Sequence, residues 1–197
     1  KYLGEGGAGL LGALHRAVVF SVPCHLAAGA RNLNRWENQV YHTRFLNSLR
    51  RKIARKADRM PVTSAETAAL FEAQHVAQVR TLEEFDDKFT APLHGFAGGS
   101  DYYARCSALG YLRHIRVPTL IVNAKNDPLL PLECYPTEEV KNHPHVFLEI
   151  PETGGHCGFS APDPAGIYWS EHRALTFLER ALPDVPPVRR LRAPAGY

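Results

Sequence analysis

Two stretches of this 197-residue chain carry residues able to move protons. Asp127 sits in KNDPLLP (125–131), and His156 sits in PETGGHCGFS (151–160). Each stretch follows an apolar run, TLIVNA in one case and VFLEIP in the other. A carboxylate beside an imidazole accepts the Nδ1 proton and fixes the tautomer. It also stabilises the imidazolium formed when Nε2 takes a proton from a nucleophile. The histidine then returns that proton to the leaving group. The glycines around His156 leave its loop free to bring the ring back over a sheet edge. The structural alternatives are a turn-capping histidine and an Asp-Pro turn opener at Asp127–Pro128. The position of both residues just beyond strand-like runs favours the chemical role.

Such a pair needs adjacent strands to hold it, and the pattern provides them. RAVVFSVP (16–23), VPTLIVNA (117–124) and VFLEIP (146–151) read as buried strands. Helical patterns lie between and after them. KYLGEGG reads as a last helical turn running into a glycine stop. A long helix is expected from about Trp36 to Asp58, with Phe45, Leu46, Leu49 and Ile53 as its apolar stripe. MPVTSAETAALFEAQHVAQV (60–79) continues the helical pattern. TLEEFDDKF forms a short helix capped by Thr81, and a further short helix is entered through Ser100 or Asp101. YWSEHRALTFLERAL closes the series, with Trp169, Leu175, Phe177, Leu178 and Leu182 as inward contacts. Strands alternating with helices imply an α/β class with parallel strands, and ligands of such sheets sit beyond the carboxyl ends of the strands. Parallel neighbours lie about 4.8 Å apart, so loops following two adjacent strands can bring Asp127 and His156 together.

Composition excludes several other classes. Hydrophobic residues make up 45% and charged residues 22%, with a net charge of +3, so there is no general pull toward nucleic acid. No apolar run reaches the length of a membrane span. Cys24, Cys106, Cys134 and Cys157 form no CxxC pair and no zinc-ligand spacing; reduced thiols are expected. Cys157 beside His156 suggests a Cys/His dyad, but sequence neighbours point apart, so a small packed residue is expected. Asp101 reads as a helix cap and His94 as a packed loop histidine. Cys24 and His25 read as packing or cleft-wall residues. Arg44, Arg50, Arg51, Lys52, Arg55, Lys56 and Arg59 make the long helix basic; a solvated face is the first reading, and contact with anionic lipid or nucleic acid the second. The proline-rich, basic 184–197 reads as a disordered tail.

PTLIVNAKNDPLLP followed by LEIPETGGHCGF resembles the acid loop and histidine loop of the α/β-hydrolase superfamily. KYLGE, APLHGFAGGSDYY and the closing W…HRALTFLE narrow the resemblance to the branch of bacterial hydrolases and mammalian α/β-hydrolase-domain lipases and phospholipases. It runs from residue 1 to about 183. It implies the C-terminal part of an α/β-hydrolase fold, with helices of a cap at about 35–90. It also implies a serine in a G-x-S-x-G elbow, followed in chain order by Asp127 and His156. Ser100 and Ser160 lack the elbow pattern. The nucleophile, its strands and its oxyanion loop are therefore expected upstream of Lys1. The resemblance implies hydrolysis of carboxylic or lipid esters with no metal or cofactor, and a small-molecule ester or lipid as partner; peripheral membrane association would follow from the lipid reading of the basic helix. A second reading is an inactive product acting by binding, with an open sheet edge as its template.

Overall fold

The three β-branched runs form strands β1 (Ala17–Phe20), β2 (Thr119–Val122) and β3 (Val146–Glu149). They make one parallel sheet in the order β1-β2-β3, with Val19 opposite Ile121 and Ile121 opposite Leu148. The computed structural model describes residues 1–57, 73–159 and 166–179. The expected residues 60–72, Leu182 and the tail lie outside these.

The chain divides into two units, Lys1–His25 with Ser107–Tyr197, and Leu26–Cys106. The first holds the sheet. Short helices α1 (Tyr2–Gly6), α8 (Leu109–Leu112) and α9 (Thr137–Val140) and the longer α10 (Trp169–Glu179) belong to it. The second holds α2 (Leu26–Leu33), α3 (Gln39–Ala57), α4 (Ala73–Gln78), α5 (Leu82–Phe85), α6 (Ala91–Leu93) and α7 (Gly99–Cys106).

Because successive strand residues point to opposite faces, the sheet has two apolar surfaces, and both are covered, as a parallel sheet requires. Leu120 and Val122, with Val18, Phe20 and Phe147, pack on Phe159, Trp169 and Phe177. Ile121, Val146 and Leu148, with Val19, pack on Cys24, Leu112, Ile115 and Val140. α10 is fastened at two points, its middle and its last turn. Arg173 forms a two-pronged ion pair with Glu149 at the end of β3 (Nε to Oε2 2.8 Å), and Arg16 donates to the Phe177 carbonyl at 2.8 Å.

In the second unit, α3 buries Leu46 and Ile53 against Val76, Val79, Phe85 and Phe89, with Leu49 half-buried. Thr81 caps α5 as expected, its Oγ1 accepting the Glu84 N–H at 3.1 Å. α7 begins at Gly99, a residue before the expected entry. Asp87 accepts the Gly99 N–H at 2.8 Å, and Asp101 reaches back to the Ala97 N–H at 3.1 Å. Phe45 is exposed rather than in the stripe, as are Leu175 and Leu178. Adjacent positions on a helix are turned by about 100°, so Phe45 faces away from the side that Leu46 occupies. His94 is exposed at the end of α6, not packed, because that helix stops after a single turn.

Candidate active site

Asp127 lies five residues past Val122, the end of β2, in a turn closed by its own N–H donating to the Ala124 carbonyl at 3.1 Å. Its side chain is fully buried. Such a carboxylate must be partnered on both oxygens, and it is. Oδ1 accepts the Leu129 N–H at 2.9 Å, and Oδ2 lies 2.8 Å from Nδ1 of His156. The structure therefore brings the two residues singled out above into hydrogen-bonding contact. His156 keeps 35% of its side chain exposed. The acid is buried and saturated, and the imidazole is tied at Nδ1 with part of its surface open. Among the described residues no hydroxyl donates to Nε2.

The two loops are laced together on either side of this contact. The Lys125 N–H donates to the Pro151 carbonyl at 2.8 Å, and Lys125 Nζ pairs with Glu152 at 2.9 Å. The Asn126 Oδ1 accepts the Gly155 N–H at 2.9 Å. Residues 125, 126 and 127 thus each hold a residue of the histidine loop. Gly155 has φ +58°, the left-handed region that glycine enters without strain. At Gly154 the reason is space. A Cβ there would stand 2.7 Å from the Phe159 ring and 2.9 Å from the Ala124 Cβ. The loop closes with the Phe159 N–H donating to the Gly154 carbonyl at 2.9 Å, and Phe159 stacks on Trp169.

Neighbouring groups were only partly visible in the sequence. Cys157 is exposed rather than packed, since it lies on the outer side of the tight 154–159 turn. Cys24 and Cys134 are buried, and all four cysteines are free. Burial, with Cys134 nearby, pushes the Cys24 thiol up to about 12, so it stays a neutral packing group. Tyr135 donates to the Ala124 carbonyl at 2.6 Å; burial, then the charge of Asp127, push its phenol up to about 12. Asn123 was missed. Fully buried, it accepts the Val22 N–H at 2.9 Å and donates to the Val22 carbonyl at 3.0 Å. No local pattern marks a carboxamide that replaces a strand partner 101 residues away. Ser100 is exposed on α7, and Ser160 lies outside the described residues. No group of three or more His, Cys, Asp or Glu side chains among the described residues is placed to hold a metal ion.

Comparison with known proteins identifies the family. The chain belongs to the α/β-hydrolase superfamily. It is 38% identical over 143 residues to a protein of Escherichia coli strain K12 named "Putative esterase YheT", a match covering 73% of this chain and 40% of that protein. An abhydrolase domain-containing protein of Dictyostelium discoideum is 30% identical over 169 residues, covering 85% of this chain and 41% of its own length. The mouse protein Phospholipase ABHD3 is 30% identical over 159 residues, covering 81% and 37%. The chain thus spans about two fifths of the length of these curated relatives. No family model matches it, and no solved structure matches it.

Proposed function

We propose that this chain supplies the base and the acid of a Ser-Asp-His triad, in a polypeptide that hydrolyses carboxylic esters of the lipid or phospholipid type. The observation that carries the reading is the 2.8 Å contact between His156 Nδ1 and the buried carboxylate of Asp127. Asp127 holds the ring with its Nδ1 proton toward Oδ2, leaving Nε2 as the base. Nε2 takes the proton of a serine hydroxyl as that oxygen attacks the ester carbonyl, then gives it to the departing alkoxide. A water deprotonated by the same nitrogen releases the acid. Proton transfer and acyl transfer complete this cycle.

The attacking hydroxyl, in this reading, comes from sequence N-terminal to Lys1. Among the described serines, Ser21 donates its hydroxyl to the main-chain carbonyl of His156, and Ser100 is exposed on α7. Strand β1 pairs only with β2 among the described residues, so its other side is where a parallel strand bearing the serine would add. Similarity to an esterase and a phospholipase supports the ester class.

The outward side of α3 supports a substrate met at a lipid surface. Arg44, Arg51, Lys52, Arg55 and Lys56 are exposed along it, and no Asp or Glu occurs between Gln39 and Ala57. Trp36 and Val40, 81% and 80% exposed, lie at its start beside exposed Tyr41 and Phe45. Basic and aromatic groups on one helix suit an anionic interface. No described helix is long and apolar enough to cross a membrane.

The test is labelling of the intact polypeptide, upstream sequence included, with a fluorophosphonate. One serine should be modified, and His156→Ala should abolish the modification. Labelling that is absent from the intact polypeptide, or that survives His156→Ala, would end this reading.

A further inference from the structure

β1 stops at Phe20, and the next residue, Ser21, has φ +52°. A residue other than glycine in the left-handed region is strained by about 1–2 kcal/mol. Here the strained residue is a serine, and its surroundings show what its side chain does.

The backbone on both sides of Ser21 is fixed. Its N–H donates to the Val122 carbonyl at 2.9 Å, a last rung of the β1–β2 ladder. Val22 is gripped by the Asn123 carboxamide at both its N–H and its carbonyl. Asn123 is anchored in turn by its own N–H, which donates to the Glu149 carbonyl at 3.1 Å. This clamp ties the ends of all three strands together and holds Ser21 in its left-handed turn. From there the hydroxyl donates to the main-chain carbonyl of His156.

The histidine needs such a hold. Gly154, Gly155 and Gly158 bring no side chains to its loop, and Asp127 touches only the tip of the ring at Nδ1. A single bond at Nδ1 lets the ring tilt about that contact if the backbone beneath it drifts. A second bond at the carbonyl fixes the base of the residue.

We propose that Ser21 is a positioning residue for His156: clamped by Asn123 at the end of β1, it hydrogen-bonds the histidine carbonyl and sets where Nε2 stands. The proposal rests on the reading of His156 as the base of a hydrolase. Ser21 acts through His156 and touches no reacting atom.

The experiment compares Ser21→Gly, Ser21→Ala and Asp127→Asn with the parent in the intact polypeptide. It reads hydrolysis of a p-nitrophenyl ester, the NMR titration of the His156 ring, its Nδ1 proton signal and the thermal midpoint. Ser21→Gly removes the hydroxyl while relieving the left-handed strain; Ser21→Ala removes the hydroxyl and keeps the strain. Both should lower kcat about 10-fold to 100-fold, the range for a misplaced catalytic group, with KM little changed. Both should also shift the His156 ring signals. Ser21→Gly should do so with its thermal midpoint retained, which separates the effect from unfolding. A Ser21→Gly protein with the parental kcat and His156 signals would overturn the proposal. Asp127→Asn tests the reading beneath it. If Asp127→Asn leaves the His156 titration unmoved, the pair itself is not coupled. If it moves the titration while Ser21→Gly does not, only the role of Ser21 falls.

Discussion

At the scale of single residues, the site separates burial from access. Asp127 has both oxygens engaged inside the protein, and His156 is tied on one nitrogen only. Asp127→Asn keeps the shape and can still accept the Leu129 N–H, but it turns an N–H toward Nδ1. The ring then has to present its lone pair at Nδ1 and its proton at Nε2, the wrong tautomer for a base. Ester hydrolysis by the intact polypeptide should fall about 10⁴-fold in kcat, with thermal stability close to parental. A loss below tenfold in steady-state kinetics would count against the assigned role. Asp127 and His156 were legible in the sequence because each follows a strand signal within a few residues. Ser21 and Asn123 were not, because their side-chain partners, His156 and Val22, lie more than a hundred residues away and their types are ordinary at a strand end. Cys157 was misjudged for a related reason: the turn that exposes it is set by Gly154 and Phe159 packing, which no neighbour pattern reveals.

At the scale of elements, β3 leads directly into the histidine loop, and its start depends on another histidine. Nδ1 of His143 accepts the N–H groups of His145 and Val146 at 3.1 and 3.0 Å, which requires an unprotonated nitrogen. Burial first, then the positive neighbours His145 and Arg116, hold the His143 pKa below its usual value, against opposing bonds to the main chain at Arg113 and Leu112. A histidine with a lowered folded-state pKa binds fewer protons folded than unfolded. Its stabilising contribution is whole above the unfolded pKa of about 6.5 and is lost as the pH falls through the folded value. The urea midpoint should therefore drop on going from pH 7.5 to 5. His143→Asn should flatten that dependence while lowering stability at pH 7.5. A parental slope in the variant would remove His143 from the account. Helix α3 offers a second expectation. The intact polypeptide should sediment with vesicles containing phosphatidylserine and not with phosphatidylcholine alone, and salt should weaken the binding. At about 1 kcal/mol per basic residue near an anionic surface, reversing Arg51 and Arg55 to Glu should cut binding by tenfold or more. Equal binding to both vesicle types would refute the lipid reading of this helix. The helix was foreseen almost to its ends, yet Phe45 was placed on the wrong side. A 3.6-residue period locates an apolar stripe but does not choose between adjacent apolar residues such as Phe45 and Leu46, and Leu175 and Leu178 on α10 illustrate the same limit.

At the scale of the whole molecule, the parallel sheet was readable because three β-branched runs stand out from helical surroundings. Which faces they bury, and that Arg16 and Arg173 fasten the closing helix, depended on contacts between distant segments and so could not be read locally. The sheet also has an unusual itinerary. Ala17 pairs with Thr119, and the segment Leu26–Cys106 between them forms a unit with its own apolar core of Leu46, Ile53, Val79 and Phe89. During synthesis β1 emerges long before β2 exists. Joining ends so far apart along the chain carries a loop-closure penalty and slows assembly. The helical insert can consolidate in that interval, and the Asp127–His156 contact can form only after β3 docks. The contact between the buried carboxylate and the ring is thus a late event, made only once all three strands have been synthesised.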